Sequence, residues 1–590
     1  MESARHLAAR KIRESYGQSA LHLLLRSQTE NCCGPDQVRG RLRAARYNPR
    51  MANTSPMLYQ INTRLTLGRL GRQLDRRATL DDLPQTELER LAGLGFDWIY
   101  LLGIWKTGAR GKRLAQQHAG WFDGLATELP GLQRQDICAS CFAITGYQIS
   151  PALGGERALS RLRQRMHKLG LRLMLDFIPN HTAVDHPWAR QHPEYYIAAT
   201  PQDLKTRRYG FARVQTVHGR MALAHGRDPY FPPWNDTLQL NYAEPALQAA
   251  MQAKLLQAAG LCDGLRVDMA MLALPEVFER TWGRQAQPFW PGAIAALRQA
   301  HPGFTLLAEV YWDLEAALLE QGFDYAYDKR LYDRLAAGQA EALRLHLGAY
   351  PPFQAHLARF LENHDEPRAA AVFPPERLPA AAALTYLSPG LRFFHQGQLQ
   401  GARLKLPVQL CYAPEEPPDP AVAAFYQRLL PVLRHPALQD GGWRLADGLD
   451  EAPGEQPVTP PEEPASASAA QPAGQPTGAG ILAGAWESPT GERLLTVVNY
   501  SPSPGQRRLR LPFSGLPGGH WRFSDLLSPA ALERPGDELA AQGLLVRLPG
   551  WGVQVYEVKR ITRHRNQQLL EQLNAAYSDA PGAEEHLLMQ

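Results

Sequence analysis

No apolar run in this 590-residue chain approaches the roughly 18–20 residues that a membrane helix needs, so no membrane partner is expected. The stretch Leu21–Leu25 is too short for a secretory core, and no small-residue cleavage site follows it. A cytoplasmic protein is the expectation. Cysteine is also sparse, with six residues in the whole chain. Cys32 and Cys33 are adjacent, and Cys138 and Cys141 form a lone C-x-x-C without two further ligands at matching spacing, so a zinc site is not indicated. A thioredoxin-like context is missing as well, and reduced structural thiols are expected.

Excess charge of one sign is absent from the body of the chain. The net charge is +5, but residues 1–50 hold nine Arg and one Lys against four acids, which leaves the remainder at −1. A nucleic-acid partner needs a basic face on a folded module with stacking aromatics. The basic segment offers only Tyr16 and Tyr47, so no nucleic acid is expected, and 1–50 reads as a disordered arginine-rich extension. Hydrophobic residues make up 44% and charged residues 21%, ordinary values for a globular chain with a sizeable core.

What is present is alternation. Leu88, Leu91 and Leu94 lie at helical spacing before Gly95, and the apolar run Trp98–Leu102 follows. Leu159, Leu162, Met166 and Leu169 form a second stripe before Gly170 and the strand-like Leu171–Ile178. Leu247, Met251, Leu255 and Ala259 form a third, opened by Pro245, closed by Gly260 and followed by Cys262–Val267. Pro291–Ala300 leads into Phe304–Ala308. Helix–strand repetition implies an α/β fold with parallel strands joined by crossover helices. An open doubly wound sheet and a closed (β/α)8 barrel both fit; the span from 51 to 436 suits a barrel, with residues 182–241 as an irregular excursion. Residues 437–560 then read as short strands between Pro/Gly turns, among them Leu494–Tyr500, Arg507–Leu511, Leu544–Leu548 and Val553–Val558. A Pro/Ala/Glu/Ser-rich insertion at 449–480 has little to bury and reads as disordered, and 561–590 is a polar tail.

Four carboxylates stand at strand ends. Asp176 opens DFIPNH (176–181), Asp268 closes DGLRVD (263–268), Glu309 follows FTLLA, and Asp365 closes ENHD (362–365). The C-termini of parallel barrel strands open onto one face, so these groups can converge there. Each alone reads equally well as a solvated group or a helix cap. Two carboxyls flanking a scissile bond are the minimum for glycoside hydrolysis, one ionised to attack and one protonated to donate. Arg266 faces the same side as Asp268 under strand alternation and is expected to hold that carboxylate ionised. Val310, Tyr311 and Trp312 are expected to desolvate Glu309 and raise its pKa. His181 and His364 are candidate donors to sugar hydroxyls, and Tyr147, Trp105 and Trp234 candidate stacking platforms, with core packing an equal reading for the aromatics.

In order and spacing, DFIPNH, DGLRVD, the Glu309 segment and ENHD resemble the four motifs of the α-amylase family, and GYQISP (146–151) and GLRFFHQGQ (390–398) resemble its second and last strands. The resemblance implies a (β/α)8 TIM barrel with an inserted domain B after strand 3 and a C-terminal antiparallel β-sandwich. It further implies a retaining double displacement with Asp268 as nucleophile, Glu309 as acid/base and Asp365 as supporting carboxylate. By position, Tyr147, His181, Arg266, His364 and Asp176 match substrate-binding positions, and Asn180 matches a position that often ligates calcium. Many starch-cleaving members carry Lys-His after the nucleophile, where this chain has Met269, Ala270, Met271 and Leu272. That removes one acceptor-side sugar contact and one calcium-ligand position, so Asn180 is expected to serve local hydrogen bonding with no cofactor required. Met271 and Leu272 are expected on the acceptor side, which favours short substrates over intact starch. The expected partner is an α-glucan or oligosaccharide. Three activities remain open: hydrolysis of α-glucans or maltooligosaccharides, transfer or isomerisation on sucrose, trehalose or maltose, and a non-catalytic binding role.

Overall fold

The computed structural model describes residues 55–117, 119–206, 208–449 and 478–561. The extension 1–50, most of the 449–480 insertion and the tail beyond 561 lie outside the described residues. Among those described, eight parallel strands close a barrel: β1 (Met57–Asn62), β2 (Trp98–Leu102), β3 (Arg172–Phe177), β4 (Gly264–Val267), β5 (Thr305–Ala308), β6 (Tyr325–Tyr327), β7 (Leu357–Arg359) and β8 (Leu391–His395). β8 pairs back onto β1, with Met57 opposite Arg392. The strands are buried nearly throughout, as a parallel sheet covered on both faces requires.

Helices α1 (Gln85–Gly93), α2 (Gly155–Lys168), α3 (Pro245–Ala259) and α4 (Trp290–Ala300) arise from the apolar stripes read in the sequence. In α2, Leu159, Leu162 and Met166 are buried while Arg157, Arg161 and Lys168 are exposed, so burial of one face stabilises the helix. Gly170 closes it at φ 76°, a conformation that favours glycine. The interior of the barrel is tight at β4. A Cβ on Gly264 would lie 2.9 Å from the Thr305 carbonyl oxygen and 3.0 Å from the Trp98 ring, so only glycine admits that indole.

The excursion after β3 contains an antiparallel pair, His181–Ala183 with Thr237–Gln239, and a hairpin, Phe211–Thr216 with Gly219–Ala224. It is the domain B insertion, and it returns to the barrel through α3.

By contacts the chain divides into two units. The first comprises the described residues of Met1–Asp333, Ala349–Val372 and Pro389–Ala423, and the second those of Arg334–Gly348, Phe373–Ser388 and Ala424–Gln590. The division therefore does not run as a single cut at 436. The second unit holds β9 (Gly442–Leu445), β10 (Asp447–Gly448), β11 (Ile481–Glu487), β12 (Arg493–Asn499), β13 (Gly505–Arg510), β14 (His520–Asp525), β15 (Ala531–Pro535), β16 (Leu544–Leu548) and β17 (Val553–Ile561). They form an antiparallel six-stranded sheet, β9-β11-β12-β17-β14-β15, and a three-stranded sheet, β10-β13-β16. Ile481, Ala483, Leu495 and Val497 from the first share one core with Leu509, Leu544 and Val546 from the second, which is the sandwich expected. The other face of β11 turns Leu482 and Trp486 toward the segments 334–348 and 373–388, where Trp486 Nε1 donates to the Leu387 carbonyl at 2.7 Å.

Candidate active site

The strand ends deliver the carboxylates to one cleft of about 800 Å³. Asp268 is the residue after β4 and Glu309 the residue after β5; their amides donate to the Phe177 and Val267 carbonyls, continuing the ladder one step beyond each strand. Asp365 lies in the loop after β7. All three line the cleft, with His181, Trp234 and Phe142 on its walls.

Arg266 organises them. Its fully buried guanidinium donates from Nη1 to Asp268 Oδ1 at 2.7 Å and places Nη2 2.7 Å from Glu309 Oε2. Asp176 Oδ1 and Asp365 Oδ2 each lie 3.9 Å away. In register Arg266 sits opposite Asp176 on β3 and Leu307 on β5, so alternation along β4 sends Arg266 and Asp268 to the same side. Asp176 does not line the cleft; it is buried, takes the Tyr100 hydroxyl and the Gly103 amide, and supports the cation from behind.

Burial raises the pKa of Asp268, and the charge and hydrogen bond of Arg266 only partly offset this. Arg266 reaches Asp268 as the sequence leads one to expect, but its charge is divided between Asp268 and Glu309. Burial also lifts Glu309, pushed up to about 7 against the pull of Arg266, with the neighbouring Asp268 and Asp365 charges adding to the rise. Asp365 is opposite in sign. Desolvation works against its ionised form, but the charge and contact of His364, with Arg266 and Lys405, outweigh it and hold the carboxyl well below the usual range. His364 Nε2 stands 3.0 Å from Asp365 Oδ2, and its Nδ1 is 2.9 Å from Gln60 Nε2. The Asp365 side chain is 42% exposed, against 6% for Asp268 and 4% for Glu309, so it is the carboxylate most open to the cleft.

His181 lines the cleft with its ring 5.1 Å from that of Trp234, and burial lowers its pKa to about 4, leaving a neutral imidazole. Tyr147 is placed elsewhere. Its hydroxyl donates to the Ile178 carbonyl at 3.0 Å and accepts from the Ile178 amide at 2.9 Å, and its ring stacks on Phe177; it is outside the cleft lining. Trp105 is likewise buried, donating Nε1 to the Asp176 carbonyl. Met271 and Leu272, expected on the acceptor side, are buried in a short 3-10 turn, 270–273, and do not line the cleft. The cleft lining instead includes Met269, Trp312, Asp313, Lys329, Arg330 and Asp333.

Phe142 was not legible as a site residue. Its ring lies 5.3 Å from the Arg266 guanidinium carbon and 5.4 Å from the His364 ring, an apolar surface beside the carboxylates. The loop around it carries no periodicity, and the C-x-x-C just before it points to no sugar chemistry. Tyr311 and Trp312 were visible only as bulky neighbours of Glu309.

The donor set around Asn180 does not fit a calcium ion. Gln239 Nε2 points its protons among three oxygens, Asn180 Oδ1 at 2.9 Å and the Asn180 and Leu240 carbonyls at 3.1 Å each. An amide nitrogen thus stands among the oxygens a cation would need.

Residues 86–318 match the Alpha-amylase family, described as "Alpha amylase, catalytic domain". Over 267 residues the chain is 26% identical to "Alpha-amylase MalA" of Haloarcula japonica, covering 44% of this chain and 36% of that protein. It is 26% identical over 255 residues to "Trehalose synthase/amylase TreS" of Mycolicibacterium smegmatis, covering 37% and 41%. The matched part is therefore under half the length of either relative. The fold is shared with a maltogenic α-amylase, AmyB, from Thermotoga neapolitana, at a TM-score of 0.58 and 18% identity over 87% of this chain and 100% of that one. The match over 86–318, lying on a closed barrel whose strand ends bear the four motifs, shows an α-amylase catalytic domain over those residues.

Proposed function

We propose that the protein is a retaining α-glycosidase acting on α-glucans or maltooligosaccharides. The observation that carries this reading is the single guanidinium of Arg266, 2.7 Å from both Asp268 and Glu309. A cation shared by two carboxyls draws them close, which supports the short spacing class, about 5–5.5 Å, of enzymes that pass through a covalent intermediate. Asp268 attacks the anomeric carbon while Glu309 gives its proton to the departing oxygen. Water then adds to the anomeric carbon, loses its proton to Glu309, and releases Asp268 as carboxylate. Asp365, ionised and open to the cleft, offers charge and hydrogen bonding to the sugar as positive charge develops on the ring. His181 supplies a polar contact to the reacting sugar and Phe142 an apolar one, while His364, outside the cleft lining, acts through Asp365. A cytoplasmic setting belongs to the same proposal and rests on the sparse cysteine usage.

A second reading, transfer or isomerisation of short α-glucosides, is favoured by the charged groups in the cleft lining. Lys329, Arg330, Asp313 and Asp333 can hydrogen-bond a sugar acceptor as well as water, and the likeness to a trehalose synthase/amylase points the same way. Met271 and Leu272 are buried and so give no preference for short substrates over intact starch.

Product analysis on amylose, maltooligosaccharides, maltose, sucrose and trehalose separates the two readings. Hydrolysis with the α-anomer formed first is expected. First release of the β-anomer refutes retention, and conversion of maltose to another disaccharide without net hydrolysis favours the second reading. Asp268→Asn is expected to lower kcat by roughly 10⁴-fold or more through loss of the nucleophile.

A further inference from the structure

Glu309 is held on both of its oxygens. Oε2 meets Arg266 Nη2 and the Met269 amide, each at 2.7 Å. Oε1 accepts from the Tyr311 hydroxyl at 2.8 Å. The first two contacts come from the β4 end, where Met269 has the left-handed backbone, φ 44°, that follows the nucleophile. The third comes from the loop leaving β5, and the reading above gave it no role.

That loop is tied down. Trp312 and Asp313 are consecutive non-glycine residues at φ 61° and 65°, a conformation that persists only where the surroundings over-determine it. The Trp312 ring packs edge-on against Tyr230 of domain B at 4.9 Å, and Asp313 is ion-paired with Arg330. Tyr311 is thereby placed on the cleft wall with its hydroxyl on the carboxylate. Burial and the adjacent Glu309 charge keep the phenol protonated far above neutrality, so it is always a neutral O–H.

We propose that Tyr311 is a positioning residue of the reaction: its hydroxyl donates to Glu309 whenever that carboxylate is ionised, sets the alkaline edge of activity, and speeds the step in which Glu309 acts as a base. This rests on Glu309 being the acid/base. In the first step the Glu309 proton goes to the leaving oxygen, and the carboxylate so formed takes the Tyr311 hydrogen bond. In the second step the same carboxylate removes a proton from the attacking water, and the bond keeps it oriented. Tyr311 retains its own proton throughout. A donor to the ionised form favours that form, so it limits how far burial can lift the carboxyl. The charged and titratable groups facing Glu309 are Arg266, Asp268 and Asp365 with the phenols of Tyr311 and Tyr327. Replacing Tyr311 by Phe removes one bond from this set and leaves every charge in place.

The test is kcat/KM against pH for Tyr311→Phe on a nitrophenyl α-maltoside, with kcat on α-maltosyl fluoride. The fluoride leaves without a proton, so its turnover reports the water step. The alkaline edge is expected to rise by about one pH unit, a tenfold change in the ionisation constant. Turnover of the fluoride is expected to fall about tenfold at neutral pH, with KM and melting temperature little changed. A ring-fluorinated tyrosine at 311, a stronger donor of native shape, is expected to move the edge down; it keeps the test open if the Phe variant folds poorly. An edge that stays in place in both variants overturns the proposal. Glu309→Gln separates that failure from an error in the underlying reading. If the edge disappears in the Gln variant but does not move in the Tyr311 variants, only the role of Tyr311 falls. If the edge survives in the Gln variant, or the native enzyme turns over neither substrate, the acid/base assignment itself fails and takes this proposal with it.

Discussion

Arg266 is buried among four carboxylates, and its removal is the most severe single change at the residue scale. Arg266→Met leaves Asp268 and Glu309 without their cation. Breaking a buried pair on one side costs about 3–5 kcal/mol, so a large drop in melting temperature is expected at neutral pH. The sign of the pH dependence follows from burial, which already raises both carboxyls above their ordinary values. A carboxyl raised in the folded state costs stability only where it is ionised in the unfolded chain. The loss should therefore shrink as pH falls toward and below the ordinary carboxylate range of about 4. Thermal melts of native and variant protein at neutral and acid pH check this, and a deficit that does not shrink would remove the carboxylates as its cause. Tyr147 makes a milder test. Its hydroxyl both donates to and accepts from Ile178, so Tyr147→Phe is expected to cost about 1–3 kcal/mol of stability with KM unchanged. A raised KM at native stability would return Tyr147 to the substrate-binding set that the sequence resemblance implies.

The legibility of the elements follows their length and periodicity. Helices α1 to α4 each carry an apolar stripe, and the strands preceding Asp268 and Glu309 are apolar runs, so their positions were readable to within a few residues. β6 and β7 span Tyr325–Tyr327 and Leu357–Arg359, too short to show any period, and β7 hides a buried Arg359 paired with Asp328. Within the sandwich, β9, β10, β11, β14 and β15 were missed. β14 and β15 mix Arg, Glu and Ser into their strands, and β11 is buried on both faces, so its sequence does not alternate cleanly. One element-scale prediction concerns β4. Gly264→Ala pushes a methyl group to 2.9 Å from the Thr305 carbonyl and 3.0 Å from Trp98. Overpacking of this kind costs typically about 1–3 kcal/mol, and since Arg266 and Asp268 follow on the same strand end, activity is expected to fall along with the melting temperature. Native activity and stability together would mean that the Trp98 ring can give way.

At the scale of the whole molecule, the second unit is more than the C-terminal sheets. Trp486 donates to Leu387, Arg344 donates to the Ile481 carbonyl at 2.9 Å, and the Tyr500 hydroxyl donates to the Leu335 carbonyl at 2.8 Å. A fragment of residues 437–561 lacks 334–348 and 373–388, which uncovers Leu482 and Trp486 and leaves these groups unpartnered. The fragment is expected to bind a hydrophobic dye and to melt without a sharp transition, whereas the full chain melts cooperatively. A fragment with a sharp transition and no dye binding would make the cut at 436 a true folding boundary.

The sequence by itself determined the order of helices and strands, the family resemblance, and the four carboxylates at strand ends, because local periodicity and strand-end position are properties of neighbouring residues. Tertiary structure alone decided the rest. It brought Phe142 beside Arg266, turned Met271 and Leu272 inward, withdrew Tyr147 and Trp105 from the cleft, and set Gln239 among the oxygens around Asn180. It also divided the Arg266 charge between Asp268 and Glu309 and placed Tyr311 on the second of them. The physical reason is common to all of these. Which carboxylate a buried cation serves, and which side of a loop faces water, depend on distances between segments far apart in the chain, and no local pattern encodes those distances.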